Sequence, residues 1–143
     1  MIKKFVFIGD TNSINIELIA KSHQILKKKV KYILIGNIED LNKYLKRISS
    51  NLSINEIYDP IKFQNYDKDY LNIFNINHIS KIKYQNLLNQ IYFSNLLSKK
   101  SKIDLVTMPI NKSIFKKKID FVGMTEHLGS LNKKKNSHAY AWR

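Results

Sequence analysis

Two short stretches of this 143-residue chain combine residue types that handle phosphorylated ligands. The first, VTMPINK (106–112), ends an apolar run with Pro109 and then presents Lys112. A lysine in such a loop is either a point charge for a phosphate group or an ordinary solvated side chain. The second, FVGMTEHL (121–128), supplies Gly123 for close backbone approach, Thr125 as a hydroxyl donor or helix cap, and Glu126 in the first helical turn. Together they predict a substrate-binding corner.

A third stretch, FIGDTNSINIE (7–17), has the pattern of a strand, a turn and a helix. The backbone amides at the start of such a helix can bind an anion. The stretch has one glycine, so it matches neither the dinucleotide-binding fingerprint nor the phosphate-binding P-loop. The alternative interpretation is an ordinary turn in which Asp10, Asn12 or Ser13 caps the helix.

Apolar runs and helical periodicity alternate along the chain, and this predicts an α/β fold with a parallel-type sheet flanked by helices. The predicted strands are 3–9, 30–36, 54–58, 70–77 and 103–108, and the predicted helices are 14–29, 38–48 and 81–98. Ligands of such sheets bind at the carboxyl ends of the strands. The loops Gly9–Asp10 and Met108–Lys112 are therefore the predicted site loops.

Finer features follow from the same patterns. Asn37 and Ser80 are predicted helix caps, 70–77 is a predicted edge strand, and 103–108 is a predicted buried strand. Helical spacing also predicts one apolar face on each helix. These faces comprise Ile14, Leu18, Ile19 and Ile25–Leu26 in the first helix, Leu41, Leu45 and Ile48 in the second, and Leu87, Leu88, Ile91, Leu96 and Leu97 in the third.

Composition restricts the class of protein. Apolar residues make up 43% of the chain, which predicts a folded single domain. There is no cysteine, no apolar run of membrane-spanning length and no secretory signal, which predicts a cytoplasmic protein. The four histidines, His23, His78, His127 and His138, have unrelated contexts, so no metal site is predicted.

The net charge of +14 has two interpretations. One is binding to nucleic acid or an anionic surface. The other is the composition of an AT-rich gene, because 23 of the 25 basic residues are lysine and only Arg47 and Arg143 are arginine. Nucleic-acid sites usually recruit arginine for bidentate contacts, and these lysines are spread over the chain. We therefore favour composition, and nucleic acid is not an expected partner.

The motifs resemble the N-terminal part of the 4-hydroxythreonine-4-phosphate dehydrogenase family, which acts in pyridoxal phosphate synthesis. DLVTMPINK (104–112) is similar to the family's T-x-P-I-N-K loop, and FVGMTEHL (121–128) to its F-x-G-H-T-E-x-L motif. The opening IGD and IE of residues 8–17 are similar to the family's first loop, G-D-P-A-G-I-G-P-E. The resemblance covers about residues 1–131.

This resemblance implies a fold like that of isocitrate and isopropylmalate dehydrogenases, a homodimer, NAD, and a divalent metal held by three histidines. The implied reaction oxidises a secondary alcohol of a phosphorylated amino acid, and the resulting β-keto acid loses carbon dioxide. The metal would polarise the alcohol oxygen and NAD would accept the hydride. Oxidation of another 4-phosphorylated hydroxy acid is an alternative within the same family.

The resemblance carries over three substrate-site residues. Thr125 matches the substrate-contacting threonine of the G-H-T-E motif, and Lys112 matches the lysine of the P-I-N-K loop. Met124 stands where the family has histidine, and it cannot donate a strong hydrogen bond or carry charge. The family's metal histidines and most of its NAD site lie beyond this chain. We therefore expect no catalytic residue, no metal ligand and no activity from the chain alone.

The tail suggests why the resemblance stops. Residues 1–131 are predicted to be the dehydrogenase-like part and 132–143 a non-native tail. Codons for Asn136–Trp142 read one nucleotide later can encode an apolar, methionine-rich segment, and Lys133–Lys135 suggests a slippery run of A. Two alternatives differ in class: a small basic binding module without enzymatic activity, and a stand-alone dimerisation module. The dehydrogenase-fragment interpretation also predicts poor solubility, because a cut sheet leaves its edge uncovered.

Overall fold

A computed structural model of the chain describes residues 1–115 and 124–132. The described elements follow in the order β1 (Ile2–Phe7), α1 (Asn15–Leu26), β2 (Val30–Gly36), α2 (Ile38–Arg47), β3 (Ile54–Glu56), β4 (Leu71–Asn75), α3 (Lys83–Ser101), β5 (Asp104–Thr107), a short 3-10 helix (Lys112–Phe115) and α4 (Met124–Leu131). The predicted tail beyond residue 132 lies outside the described residues.

The five described strands form one sheet in the order β3-β4-β2-β1-β5, and every neighbouring pair is parallel. The predicted α/β class is confirmed. The chain runs from β1 to β2 on one side, and later returns to place β5 on the other side of β1. Such a reversal opens a crevice at the carboxyl ends of the two strands, and ligands of open α/β sheets bind there.

Alternating side chains of the strands supply the cores of two layers. Phe5 and Ile33 belong to a buried cluster with residues of α3 and α4. Tyr32 and Leu34, one position along, belong to a second buried cluster with residues of α1 and α2. Helices therefore cover both faces of the sheet, which explains why Phe5, Phe7, Ile33, Leu34 and Ile35 of the inner strands are all fully buried.

Helix α2 matches its prediction. The Asn37 side chain accepts a hydrogen bond of 3.1 Å from the backbone amide of Asp40, and so caps the first turn. Leu41 and Leu45 are buried beneath the helix. Glu39 and Asp40 lie in the first turn and basic residues in the last, an arrangement that complements the helix dipole.

The predicted apolar face of α1 is largely wrong. Ile14, Leu18 and Ile25 are exposed, at 63%, 48% and 64% of their surface. Of the residues predicted for this face, only Ile19 is buried. The buried stripe also contains two polar residues, Asn15 and His23. Both have hydrogen-bond partners in the interior, and paired polar groups can occupy buried helical positions at little cost.

The prediction that 70–77 forms an edge strand is also wrong. Strand β4 lies between β3 and β2, and β3 forms that edge of the sheet. The polar residue Asn72 is buried, and its amide is fully used. Its oxygen accepts from the Asn55 side chain and the Asp67 amide, and its nitrogen donates to the carbonyls of Asp67 and Tyr70. A satisfied asparagine thus gives an inner strand the appearance of an edge strand.

Helix α3 begins at Lys83, two residues later than predicted, and the Asn86 side chain binds back to the backbone of residues 79 and 80. Leu87 and Ile91 are buried as predicted. The rest of the buried face is polar: Asn86, Gln90, Ser94, Asn95 and Ser98. The predicted face, which rested on leucine and isoleucine positions, is therefore only partly correct. None of the described helices has the length and apolarity of a membrane span.

Strand β5 pairs only with β1 among the described residues, so it forms the second edge of the sheet. Leu105 is buried toward α3, whereas Val106 on the opposite face is 44% exposed. The predicted buried strand is thus covered on one face only. Beside Val106 lies an open apolar groove of about 250 Å³, whose lining includes Val6, Leu18 and Met108.

Candidate functional site

The loops that follow β1 and β5 meet at the crevice between these strands, as predicted. The backbone amide of Met108 donates a hydrogen bond of 2.9 Å to the carbonyl of Phe7, which continues the strand pairing past the end of β5. Gly9 and Asp10 follow directly on the β1 side. The structure therefore brings together the two loops in which the sequence predicts ligand binding.

Asn15 joins the two loops. Its side-chain nitrogen donates to the carbonyl of Ile8 at 3.2 Å and to the carbonyl of Pro109 at 2.7 Å. Only 3% of its surface is exposed. Each of its two amide protons thus satisfies a carbonyl at the end of a strand. Sequence reasoning missed this residue; the only signal was an amide in the first turn of a helix that faces the sheet.

Gly9 allows the loops to approach. Its φ is +70°, a conformation that side chains other than glycine rarely adopt. A Cβ atom at this position would lie 2.6 Å from the carbonyl oxygen of Pro109 and 2.8 Å from the Asn15 side-chain nitrogen. Close packing of backbone against backbone therefore requires glycine here for two independent reasons.

Local hydrogen bonds hold the first loop in place. The Asp10 carboxylate accepts from the backbone amide of Asn12 at 2.9 Å and forms an ion pair with Lys83 at the same distance. The Ser13 hydroxyl donates to the carbonyl of Asp10 and accepts from the amide of Asn15. The turn is ordered by these contacts, but the predicted cap by Asp10, Asn12 or Ser13 is wrong in position. Ile14 precedes α1 and makes no side-chain capping hydrogen bond, and the Ser13 hydroxyl accepts only from the first helical amide.

The predicted substrate residues lie at the starts of two short helices. Lys112 begins the 3-10 helix after the Pro109 turn, and Met124 and Thr125 begin α4. Their side chains lie outside what the structure describes, as do residues 116–123 between them. The backbone places Glu126 in the first turn of α4 as predicted, and places Thr125 inside the helix rather than at the cap position before it. The role of each side chain remains a prediction.

Helix α4 is fixed against α3 by a core contact and by a pair of amides. Leu128 is buried in the cluster that includes Leu87 and Ile91. Asn95 and Asn132 donate to each other's side-chain oxygens, at 3.3 and 2.9 Å. These contacts place α4 on the α3 side of the sheet.

A second concave region lies over the carboxyl ends of β1, β2 and β4. It has a volume of about 530 Å³, which is within the usual range of small-molecule sites. Its described walls are the loop after β1, helix α2, the connection from β4 to α3, and the first turns of α3. Sequence reasoning did not identify this cavity, because its residues come from four separate segments. We call it the α2–α3 cavity.

Two described histidines, His23 and His78, make structural contacts. The His23 ring binds the Tyr32 hydroxyl and the carbonyl of Lys68, and His78 binds the Asp40 carboxylate at 2.9 Å. Within residues 1–115 and 124–132, no three His, Cys, Asp or Glu side chains are grouped so as to hold a metal ion. This part of the chain therefore does not fit the metal that the family resemblance implies.

Burial of His23 makes the stability of the fold pH-dependent. Desolvation lowers the pKa of His23 below the ordinary 6.5, while its hydrogen bond to Lys68 opposes this shift and the nearby Lys27 adds to it. The unfolded chain therefore binds a proton at a higher pH than the folded chain. The stability that neutral His23 contributes is fully present above about pH 7. It falls as the pH drops through 6.5 toward the pKa of His23 in the folded chain.

We expect His23→Gln to remove part of this dependence, because glutamine stays neutral. The measurement is the free energy of unfolding by urea at about pH 7.5 and about pH 5. The natural chain should lose more stability between the two conditions than the variant. Burial also lowers the pKa of His127, so the variant keeps a residual dependence of the same sign. Equal losses in both proteins would show that His23 contributes nothing.

Comparison with known proteins shows which enzymes this chain resembles. No family model matches the chain. The 4-hydroxythreonine-4-phosphate dehydrogenase of Sulfurihydrogenibium sp. (strain YO3AOP1) is 27% identical over an alignment 143 positions long. The alignment covers 92% of this chain and 43% of that protein. The chain thus spans less than half the length of this relative.

Solved structures of the same kind of enzyme share the fold. The enzyme from Burkholderia phymatum superposes with a TM-score of 0.79 at 19% identity, over 95% of this chain and 45% of that one. The enzyme from Klebsiella pneumoniae gives 0.74 at 17% identity, over 93% and 44%. The resemblance to 4-hydroxythreonine-4-phosphate dehydrogenases that the motifs predicted is therefore confirmed, for a stretch shorter than half of those proteins.

Proposed function

We propose that this chain is the substrate-binding part of an enzyme like 4-hydroxythreonine-4-phosphate dehydrogenase, and that it is catalytically incomplete alone. The observation that carries the proposal is the sequence similarity to such an enzyme over 92% of the chain. The crevice between β1 and β5, which lies where α/β enzymes bind ligands, supports it.

In this proposal the residues of the chain bind and orient the substrate. Lys112 neutralises the phosphate of the substrate as a point charge, and the Thr125 hydroxyl donates a hydrogen bond to it. Met124 contributes an apolar contact where the family has histidine, so one donor is absent. NAD, when bound, accepts the hydride from the secondary alcohol. The metal ligands are proposed to lie outside this chain.

The domain division extends the same proposal. Residues 1–131 form the dehydrogenase-like part, and Ser137–Arg143 are an out-of-frame ending that replaces an apolar, methionine-rich segment. Homodimer formation and a cytoplasmic location belong to the complete enzyme. Under this proposal the lysine-rich composition reflects the AT-rich gene, and the chain has no nucleic-acid partner.

The experiment combines gene sequencing with an activity assay. The nucleotide sequence across codons 131–143 and several hundred bases beyond is read first. We expect a shifted frame that continues with histidines and a second α/β half. The protein expressed in that frame should reduce NAD with the phosphorylated hydroxy amino acid, whereas the 143-residue chain should show no turnover above background.

Substitutions in the protein expressed from the shifted frame test the role of each residue. Lys112→Met should raise KM by about tenfold or more, because it removes a charged contact to phosphate. Lys100→Met, a change of the same charge at an exposed lysine, is the control. A stop codon followed by unrelated sequence would limit the relationship to ancestry. Turnover by the 143-residue chain itself would contradict the claim that it is incomplete.

Met124 favours a second candidate within the same reaction class. Loss of a histidine at a substrate contact changes which polar groups the site can satisfy, and such sites discriminate strongly between substrates. The enzyme would then oxidise another 4-phosphorylated hydroxy acid. A panel of such acids in the same assay, together with Met124→His, separates the two candidates. Recovery of the amino-acid substrate by Met124→His would identify Met124 as the specificity determinant.

A further inference from the structure

The α2–α3 cavity carries an excess of positive charge. Lys43 and Arg47 come from α2, four residues apart and so on one face of the helix. Lys81 and Lys83 come from the opposite wall, at the start of α3. The cavity thus presents two pairs of basic side chains on two walls. Its only acidic side chain among the described lining residues is Asp40.

Most of this positive charge has no acidic partner. Asp40 binds His78, and Lys83 is paired with Asp10 of the first loop. Lys43 and Lys81 have no ion pair with any described residue.

Arg47 has only uncharged partners among the described residues. Its guanidinium donates to the side-chain oxygen of Asn12 at 3.0 Å and lies 5.7 Å from the centre of the Tyr44 ring. Like charges that share a concave wall raise the local concentration of anions. Three uncompensated cations therefore face the cavity.

A buried amide in the same cavity supplies an independent observation. Gln90 lies on the cavity wall with 4% of its surface exposed. Within the part of the chain that the structure describes, its side-chain amide has no hydrogen-bond partner, whereas the neighbouring Asn86 uses both its oxygen and its nitrogen. The amide atoms keep slight contact with the cavity, since among the described residues the Tyr66 hydroxyl is the one fully buried side-chain polar atom without a partner. The Gln90 amide is therefore available to donate a hydrogen bond to a ligand in the cavity.

We propose that the α2–α3 cavity is a binding site for a small multivalent oxyanion, a phosphate ester or a polycarboxylate. The cations of α2 and of the start of α3 neutralise its two ends, and the Gln90 amide donates to one of its oxygens. A concave site of about 530 Å³ suits a small molecule better than a nucleic-acid strand. The proposal concerns the opposite side of β1 from the Pro109 loop, and it does not depend on the proposed dehydrogenase function.

The test is calorimetric titration of the full chain with pyrophosphate and with citrate, at matched ionic strength and with acetate as the monovalent reference. We expect both multivalent anions to bind and acetate not to bind. Pyrophosphate and citrate separate the two chemical sources of the ligand: tighter binding of one identifies a phosphate or a carboxylate ligand. If neither anion binds at concentrations up to about 10 mM, any affinity is weaker than that of most specific sites, and the proposal would be overturned.

Matched variants test the location. Lys43→Gln with Lys81→Gln should weaken binding by about tenfold or more. Lys28→Gln with Lys99→Gln removes the same charge from two exposed lysines outside the cavity lining and should change affinity by less than about twofold. Equal weakening by both double variants would show attraction by net charge alone and would overturn the site.

Gln90→Leu tests the buried amide separately. Because the amide has no partner among the described residues, its replacement by an apolar side chain of similar size should leave the thermal midpoint unchanged or higher. The same variant should weaken oxyanion binding by about fivefold to tenfold. Unchanged affinity would remove Gln90 from the site. A lowered midpoint with unchanged affinity would assign it a purely structural role.

Discussion

Asn15→Asp is expected to destabilise the chain by about 3–5 kcal/mol at neutral pH, because it leaves a buried charge without compensation. The natural amide donates to the carbonyls of Ile8 and Pro109. A carboxylate at that position accepts hydrogen bonds only, so it would face two carbonyl oxygens that also only accept. Repulsion would separate the loops that follow β1 and β5.

The measurement is the free energy of unfolding by urea for the natural chain, Asn15→Asp and Asn15→Ala. The alanine variant loses both hydrogen bonds but introduces no charge, so it should lose less, about 1–3 kcal/mol. Asn51→Asp, which makes the same change at an exposed asparagine, should be close to neutral. This control accounts for the change in net charge.

Acidification provides a second readout for Asn15→Asp. Burial among acceptors raises the pKa of a carboxyl group, since it disfavours the charged form. The group binds a proton more readily in the folded chain, so the deficit relative to the natural chain should shrink as the pH falls to about 4. A deficit that is the same at both pH values would show that charge is not its cause. A variant as stable as the natural chain would contradict the joining role of Asn15.

Gly9→Ala is expected to lower the free energy of unfolding by about 2–4 kcal/mol, the combined cost of a left-handed alanine and a steric clash. The added Cβ would lie 2.6 Å from the carbonyl oxygen of Pro109 and 2.9 Å from that of Met108. Both atoms belong to backbone that β5 and Asn15 hold in place. Neither can move away without loss of the contact between the two loops.

Gly36→Ala is the matched control, because its added Cβ would meet only the Ile8 side chain at close range. A side chain can shift more readily than two backbone carbonyls, and Gly36 has no positive φ. We expect a loss of about 1–2 kcal/mol for this variant, in the lower part of the range for overpacking. Equal losses for Gly9→Ala and Gly36→Ala would argue against a special requirement at Gly9. Thermal and urea unfolding both measure the difference.

Sequence patterns predicted the elements whose determinants are local. The inner strands β1 and β2 are short apolar runs, and α2 has its cap and its apolar face within one segment. The Met108–Lys112 loop could be located because a parallel strand always ends at the same edge of the sheet. Motif similarity then supplied what periodicity could not, namely the kind of enzyme that the chain resembles.

Buried amides account for most of what the sequence did not reveal. Asn15, Asn72, Asn86 and Gln90 are buried, yet asparagine and glutamine usually indicate exposed positions. Whether such an amide can be buried depends on partners that periodicity does not show, such as the distant Pro109 carbonyl for Asn15 and the loop before α3 for Asn86. Because the chain is rich in asparagine, residue type alone does not separate the buried asparagines from the many exposed ones. The α2–α3 cavity was missed for the same reason, since four segments form it.

The contact between Asn15 and Pro109, 94 positions apart, also sets the order of events during synthesis. The residues on the β1 side of the crevice leave the ribosome early. The residues on its other side follow only when β5 has been made. Until then the Asn15 amide and the β1 edge have no partner from β5, and chains emerge at about 5–20 residues per second. For several seconds the nascent chain therefore exposes the β1 side that β5 later covers. An unpaired strand edge is prone to aggregation, so this interval is the one in which the nascent chain most needs protection.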